Sequence, residues 1–160
     1  MKVTVKSSKR LASAAKAANE AAARAVFAEL AGRFQDALRR PVWEWSPVYA
    51  EGSTGTGITV RSNGQVVGSP RNIIDAATLA QSQQAPQITG MRAVFRWTAA
   101  NDDGVGYSTA VHEGATLRNG TLLPARPWTR AVLGVEKVDG IPVYDARKRF
   151  RDVWLKRYRG

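Results

Sequence analysis

Residues 6 to 40, "KSSKRLASAAKAANEAAARAVFAELAGRFQDALRR", contain no proline and a single glycine, Gly32. Val26, Leu30, Phe34 and Leu38 recur every four residues, and Leu11, Ala15, Ala18 and Ala22 carry the stripe backwards. Side chains so spaced share one face of a 3.6-residue helix, so the stretch predicts one amphipathic helix of about 30 residues. Ser7 or Ser8 is the expected N-cap. Pro41 is the expected stop, with Arg39 and Arg40 at the negative end of the helix. The first half presents mostly alanine, which buries little area. At 1.5 Å per residue the helix extends about 45 Å, longer than a small domain requires. It is expected to project beyond its own domain and pack against a neighbouring subunit.

After this helix the pattern changes. "PVWEWSPVY", 41 to 49, reads as a short strand or extended entry, and "EGSTGTG", 51 to 57, as a linker. "ITVRSNGQVVGSPRNIID", 58 to 75, places Asn63-Gly64 between β-favouring runs, a hairpin signal, although an irregular insertion is the alternative. "AATLAQSQQ" reads as a short helix or turn led by Asp75. In "ITGMRAVFRWTAA", 88 to 100, Met91, Ala93, Phe95 and Trp97 alternate with Arg92, Val94, Arg96 and Thr98, which predicts a half-buried strand. "NDDGVG" turns it, and Tyr107 to Val111 is expected as the next strand. "PWTRAVLGV" reads as a short helix with Trp128, Ala131 and Val132 inward. The chain closes with a basic amphipathic helix capped by Asp145, its apolar stripe formed by Phe150, Val153, Trp154 and Tyr158. The class is α+β: a long N-terminal helix, a small mostly antiparallel sheet of three to five strands, and further helices.

With 160 residues, 44% of them apolar and 23% charged, the chain fits one globular domain with a real core. It reads as the long helix at 1–40, a neutral α+β core at 41–144, and the basic helix at 145–160. No apolar run approaches the roughly 18 residues of a membrane span, and no apolar signal region follows the N-terminal lysines. Cysteine is absent, which excludes disulfides, thiol nucleophiles and Cys-ligated metals. A soluble protein made in a reducing cytoplasm is expected. The net charge of +11 is concentrated at the ends. Residues 1–40 hold nine Lys/Arg against three acids, 145–160 hold seven against two, and 41–144 hold eight of each. This asymmetry predicts a polyanionic partner or an acidic protein surface. Arg147, Lys148, Arg149, Arg151, Lys156, Arg157 and Arg159 are the contact candidates.

Tests for reaction chemistry turn up no catalytic, cofactor or metal residues. His112 is the chain's one histidine, and H-E-x-x-H is broken by Thr116. On a strand, His112 and Glu113 would point to opposite faces and not act on one atom. Asp102-Asp103 precede Gly104 in a turn-rich run, where Asp bonds to backbone. "GSTGTG" lacks the lysine and the strand-to-helix context of a phosphate loop. The aromatics of the last helix fall on one face, as a core stripe would. No sequence-reading DNA motif is present, while non-specific backbone contact stays open.

"YSTAVHEGAT", 107 to 116, followed by "LPARPWTRA", 123 to 131, resembles the virion-morphogenesis family of tailed-phage neck and tail-completion proteins. Tyr107, Ala110, Glu113 and Gly114 match its strand motif. Pro124, Ala125, Arg126, Pro127 and Trp128 match its Ala-Arg-Pro-Phe segment, with Trp in place of Phe. Upstream, Asp75, Leu79 and Ser82 sit at the intervals of a further family motif, with Ala76-Ala77 replacing its Thr-Gly. The resemblance covers about residues 70 to 133 and the long N-terminal helix. Gly114 and Gly120 permit turns on either side of the loop, and Pro124 and Pro127 stiffen the chain entering the helix. Arg126, between them, is expected to reach a buried carboxylate, with Glu113 as its partner and Asp75 as the alternative.

The resemblance implies a non-enzymatic subunit of the virion, a neck or tail-terminator ring joining head connector to tail, commonly sixfold. Such a ring is assembled in the host cytoplasm and needs no cofactor. Its partners would be copies of itself and the adjacent connector or tail-tube proteins, with genome DNA passing through the lumen without specific binding. The basic ends would face neighbouring proteins, because tight binding in the lumen would hinder ejection. Two rivals stand beside this reading. A nucleic-acid module using the basic helices would bind DNA with steep salt dependence, and a small hydrolase would lose activity without His112.

Overall fold

The computed structural model describes residues 6–43, 48–49, 59–60, 66–67, 78–100, 104–116, 118 and 120–159. The chain is α+β. Helix α1 spans Lys6–Leu38, followed by a 3-10 turn at Pro41–Trp43. Strands β1 (Val48–Tyr49), β2 (Thr59–Val60) and β3 (Val66–Val67) precede helix α2 (Thr78–Gln81). Then come β4 (Gln87–Thr89), β5 (Arg92–Val94), α3 (Ser108–Glu113), β6 (Ala115–Thr116) and β7 (Thr121–Leu123). Helices α4 (Trp128–Val132) and α5 (Ala146–Arg159) complete the order. Every described pairing is antiparallel: a sheet β1-β7-β6 and the hairpins β2-β3 and β4-β5.

The residues group into two compact units. The first comprises 1–32, 85–95 and 144–160. Here the α1 stripe buries Ala18, Ala22, Ala23, Val26 and Leu30. Phe27 meets Phe95 edge to face, 6.4 Å between centroids. Helix α5 runs alongside α1 in the opposite direction. At its start Tyr144 Oη donates to Glu29 Oε2 (3.0 Å) and Arg149 Nε to Glu29 Oε1 (2.7 Å), while near its end Arg157 shares a hollow with Ala17, Glu20, Ala21 and Arg24. Asp145 caps α5 by accepting from the Lys148 N–H at 2.8 Å, as expected.

The second unit comprises 33–84 and 96–143. Its core holds Phe34 and Leu38 from the end of α1, with Trp43, Leu79, Ala99, Trp128, Ala131 and Val132. Phe34, Trp97 and Trp128 form an aromatic chain, with centroids 6.1 and 5.6 Å apart. The inward positions expected for α4 are all buried.

Several expectations need correction. Ser7 and Ser8 lie within α1 and do not precede it. The stripe fades towards the N-terminus, where Leu11 is 52% exposed. Of the short strand or extended entry expected at 41–49, residues 41–43 form a 3-10 turn, because Pro41 fixes φ and Trp43 N–H bonds back to Arg40 O, while Val48–Tyr49 are the strand β1. The single strand at 88–100 is interrupted at its start: Gly90, at φ 58°, turns β4 into β5 and leaves Met91 exposed. From Ala93 to Ala99 the inward alternation holds. The linker expected at 51–57, Asn63-Gly64, Asp75 and Asp102-Asp103 lie outside the described residues, although β2 and β3 pair on either side of the proposed turn.

Candidate functional site

The stretch expected as a strand at Tyr107 to Val111 is the helix α3. Tyr107 enters by donating its N–H to Ala99 O (3.2 Å), and Val111 N–H closes the first turn on Tyr107 O (3.0 Å). At the other end Gly114, at φ 80°, stops the helix. The last carbonyls of so short a helix need donors. Arg126 N–H supplies one, to Val111 O (3.2 Å) and His112 O (3.1 Å). The Pro-Ala-Arg-Pro run therefore caps α3 through its backbone. A Cβ on Gly114 would lie 2.9 Å from Ala125 N and 3.0 Å from Leu123 O, so only glycine lets the two segments approach this closely. Just beyond, Ala115 pairs with Leu123 and Thr116 with Leu122. Gly120, at φ 78°, makes the return turn expected of it.

The side chains of this junction form a row. His112 Nδ1 lies 2.6 Å from Glu113 Oε1, and Nε2 lies 2.7 Å from Thr129 Oγ1. An ionised Glu113 only accepts, so Nδ1 carries the proton, while the Thr129 hydroxyl can donate to Nε2 or accept from it. The His112 ring stands edge to face on Trp128, centroids 4.6 Å apart. Arg130 Nη1 reaches both Glu113 oxygens at 2.9 and 2.7 Å, and Arg130 Nε donates to Glu136 Oε2 at 3.2 Å. The Arg130 bonds, then the His112 bond, hold the Glu113 carboxyl below the usual carboxylate range. The same bond to Glu113 raises the Arg130 guanidinium.

Glu113 thus meets Arg130, not Arg126, which corrects the first pairing expected from sequence; the alternative partner of Arg126, Asp75, lies outside the described residues. Glu113 sits at the C-terminal end of α3 facing the first turn of α4, where Arg130 projects. Arg126 is 3% exposed, and its Nε donates to Trp43 O at 3.2 Å. Burial pushes its guanidinium down to about 10. Trp43 in turn donates Nε1 to Ala37 O (2.7 Å), so Arg126 ties the junction to the end of α1. Leu79 is buried, while Ser82 Oγ donates to Leu79 O (2.8 Å) and Gln35 Nε2 to Ala80 O (3.3 Å). Pro127 is buried at the entry to α4, and Pro124 is exposed.

A hydroxyl, an imidazole and a carboxylate in line have the order of a nucleophile-activating relay. A hollow of about 190 Å³ lies beside them, walled by Trp97, Ser108, Thr109 and His112. Both Glu113 oxygens are also bound by Arg130, so the same row joins α3 to α4. Each group bridges α3 to α4, and sequence reasoning missed Thr129, Arg130 and Glu136 as members. Among the described residues, no group of three His, Asp or Glu could hold a metal ion, and no helix is long and apolar enough to cross a membrane.

Of the basic contact candidates, Arg147, Lys148, Arg151, Lys156 and Arg157 are exposed. Arg149 is instead paired with Glu29, and Arg151 Nε lies 3.8 Å from Asp152. Arg159 is the last residue of α5. Compared with family models, curated proteins and solved structures, the chain matches none of them.

Proposed function

We propose that the chain is a structural, non-enzymatic subunit of a tailed-phage virion, forming a neck or tail-terminator ring between head connector and tail. The observation that carries the reading is the junction of its two motifs. Residues 107–116 and 123–131, which resemble two motifs of the virion-morphogenesis family although 108–113 form a helix where its motif is a strand, interlock through the Gly114–Ala125 approach and the Arg126 N–H bonds to α3. Their polar side chains serve that junction: His112 with Thr129, Glu113 with Arg130, Arg126 with Trp43 O. The motif residues thereby hold a shape, which is what a ring subunit requires of them. The first turns of α1 supply a surface for a neighbouring copy: every residue from 9 to 14 is exposed, Leu11 among them.

Deleting the coding sequence from the phage genome that carries it tests this, with the particles imaged by electron microscopy. Filled heads and unjoined or aberrant tails are expected, restored by the gene in trans. Intact infectious particles would overturn the proposal.

A further inference from the structure

The charge that the sequence places at both chain ends is gathered into one body. The first unit holds fourteen Lys/Arg against four Asp/Glu, a net of +10, while the second holds ten against nine. Lys9, Arg10, Lys16, Arg24, Arg92, Arg147, Lys148, Lys156 and Arg157 are all exposed. The ion pairs of this unit among the described residues engage only Arg149 and Arg151. On α5, Arg147, Lys148 and Arg151 fall within about a third of the helix circumference at 3.6 residues per turn. Trp154 and Tyr158 continue the row of Arg147 and Arg151, stacked on each other at 4.6 Å and 13°.

We infer that the face of α5 that carries Arg147, Lys148 and Arg151 binds the phosphate backbone of duplex DNA without reading its sequence. Interfaces between proteins are centred on buried apolar anchors and depleted in lysine and acids. Among the described residues of α5, Tyr158 is the large apolar side chain that is exposed, whereas the cations dominate. DNA interfaces are far more positive than protein ones. The 14 residues of α5 span ~21 Å, along which a duplex presents about a dozen charges. Trp154 and Tyr158 occupy one another's faces, so Tyr158 offers an edge and a hydroxyl, which suit phosphate contact better than base stacking. The helix carries no Asn or Gln to read adenine edges. The inference stands on the first unit alone, does not rest on the virion reading, and departs from the expectation that the basic ends face neighbouring proteins.

Fluorescence anisotropy of the full chain with a labelled duplex of arbitrary sequence tests it. Neutralising three phosphates predicts a log–log salt slope of about −2.7, a ~40-fold loss of affinity between about 50 and 200 mM salt. The R147A/R151A double variant removes two exposed side chains, and circular dichroism verifies its fold. It should flatten the slope to about −0.9 and reduce the loss to ~3-fold. K137A, an exposed lysine of the second unit, should change nothing, and an unrelated duplex should bind equally. The inference is overturned by absent binding at the lowest salt, or by binding indifferent to R147A/R151A. It is equally overturned if polyglutamate competes as well as duplex, which would mark an acidic protein partner, or if a single strand of equal length binds more tightly.

Discussion

Replacing Trp128 separates its two chemical properties, bulk and a buried N–H. Trp128 is 1% exposed, stands between Trp97 and His112, and its Nε1 has no hydrogen-bond partner among the described residues. W128A removes the whole indole from a packed core, which costs about 3–5 kcal/mol. W128F keeps an aromatic ring against both neighbours and loses a modest volume, a change that costs under about 1.5 kcal/mol in tolerant cores. It also removes a buried, unsatisfied donor whose desolvation costs about 1–3 kcal/mol. The two terms oppose each other, so W128F should lie within about 1 kcal/mol of the parent. Urea unfolding followed by circular dichroism reads both variants without relying on tryptophan emission, and a midpoint change at constant slope reports stability. If W128F costs as much as W128A, the indole N–H is satisfied in the folded protein and the reasoning fails.

Other positions give sharper tests of the junction. G114A places a Cβ at φ 80° within 3 Å of the Ala125 backbone N, and urea unfolding should show a loss of about 1–3 kcal/mol or more. Glu113 has a depressed folded pKa, so its pairing with Arg130 stabilises the fold above the usual carboxylate pKa and is lost as pH falls through the folded value. The stability difference between parent and E113Q, measured by urea unfolding at several pH values, should therefore be largest near neutrality and vanish in acid. A difference growing as pH falls would reverse the assignment. H112A removes the link from Glu113 to Thr129 and should lower the thermal midpoint while virion assembly in a complementation assay persists; abolished assembly would give His112 a role beyond fastening.

The sequence was most legible where one period ran long. The four-residue stripe of α1, the buried side of α4 and the Asp145 cap all act within a turn or two, and local spacing reports them. The α3 segment was not legible, because Tyr107, Thr109 and Val111 alternate as a strand would. The helix is decided by a donor from Arg126, distant in sequence, and by Trp128 beneath His112. The same distance effect misassigned the partner of Glu113. Arg126 and Arg130 lie one helical turn apart in sequence, and only the direction of α4 decides which of them reaches α3. The meeting of the two basic ends in one unit had no local signal at all, since more than a hundred residues separate α1 from α5.

The role proposed for the chain is tested most directly by locating it in intact virions. Gold-labelled antibody against the chain, applied to purified particles of the phage that encodes it, should mark one site per particle, at the junction of head and tail. Averaged images there should show a ring of identical copies. Label on the head shell or the distal tail, or particles lacking the chain altogether, would contradict the account.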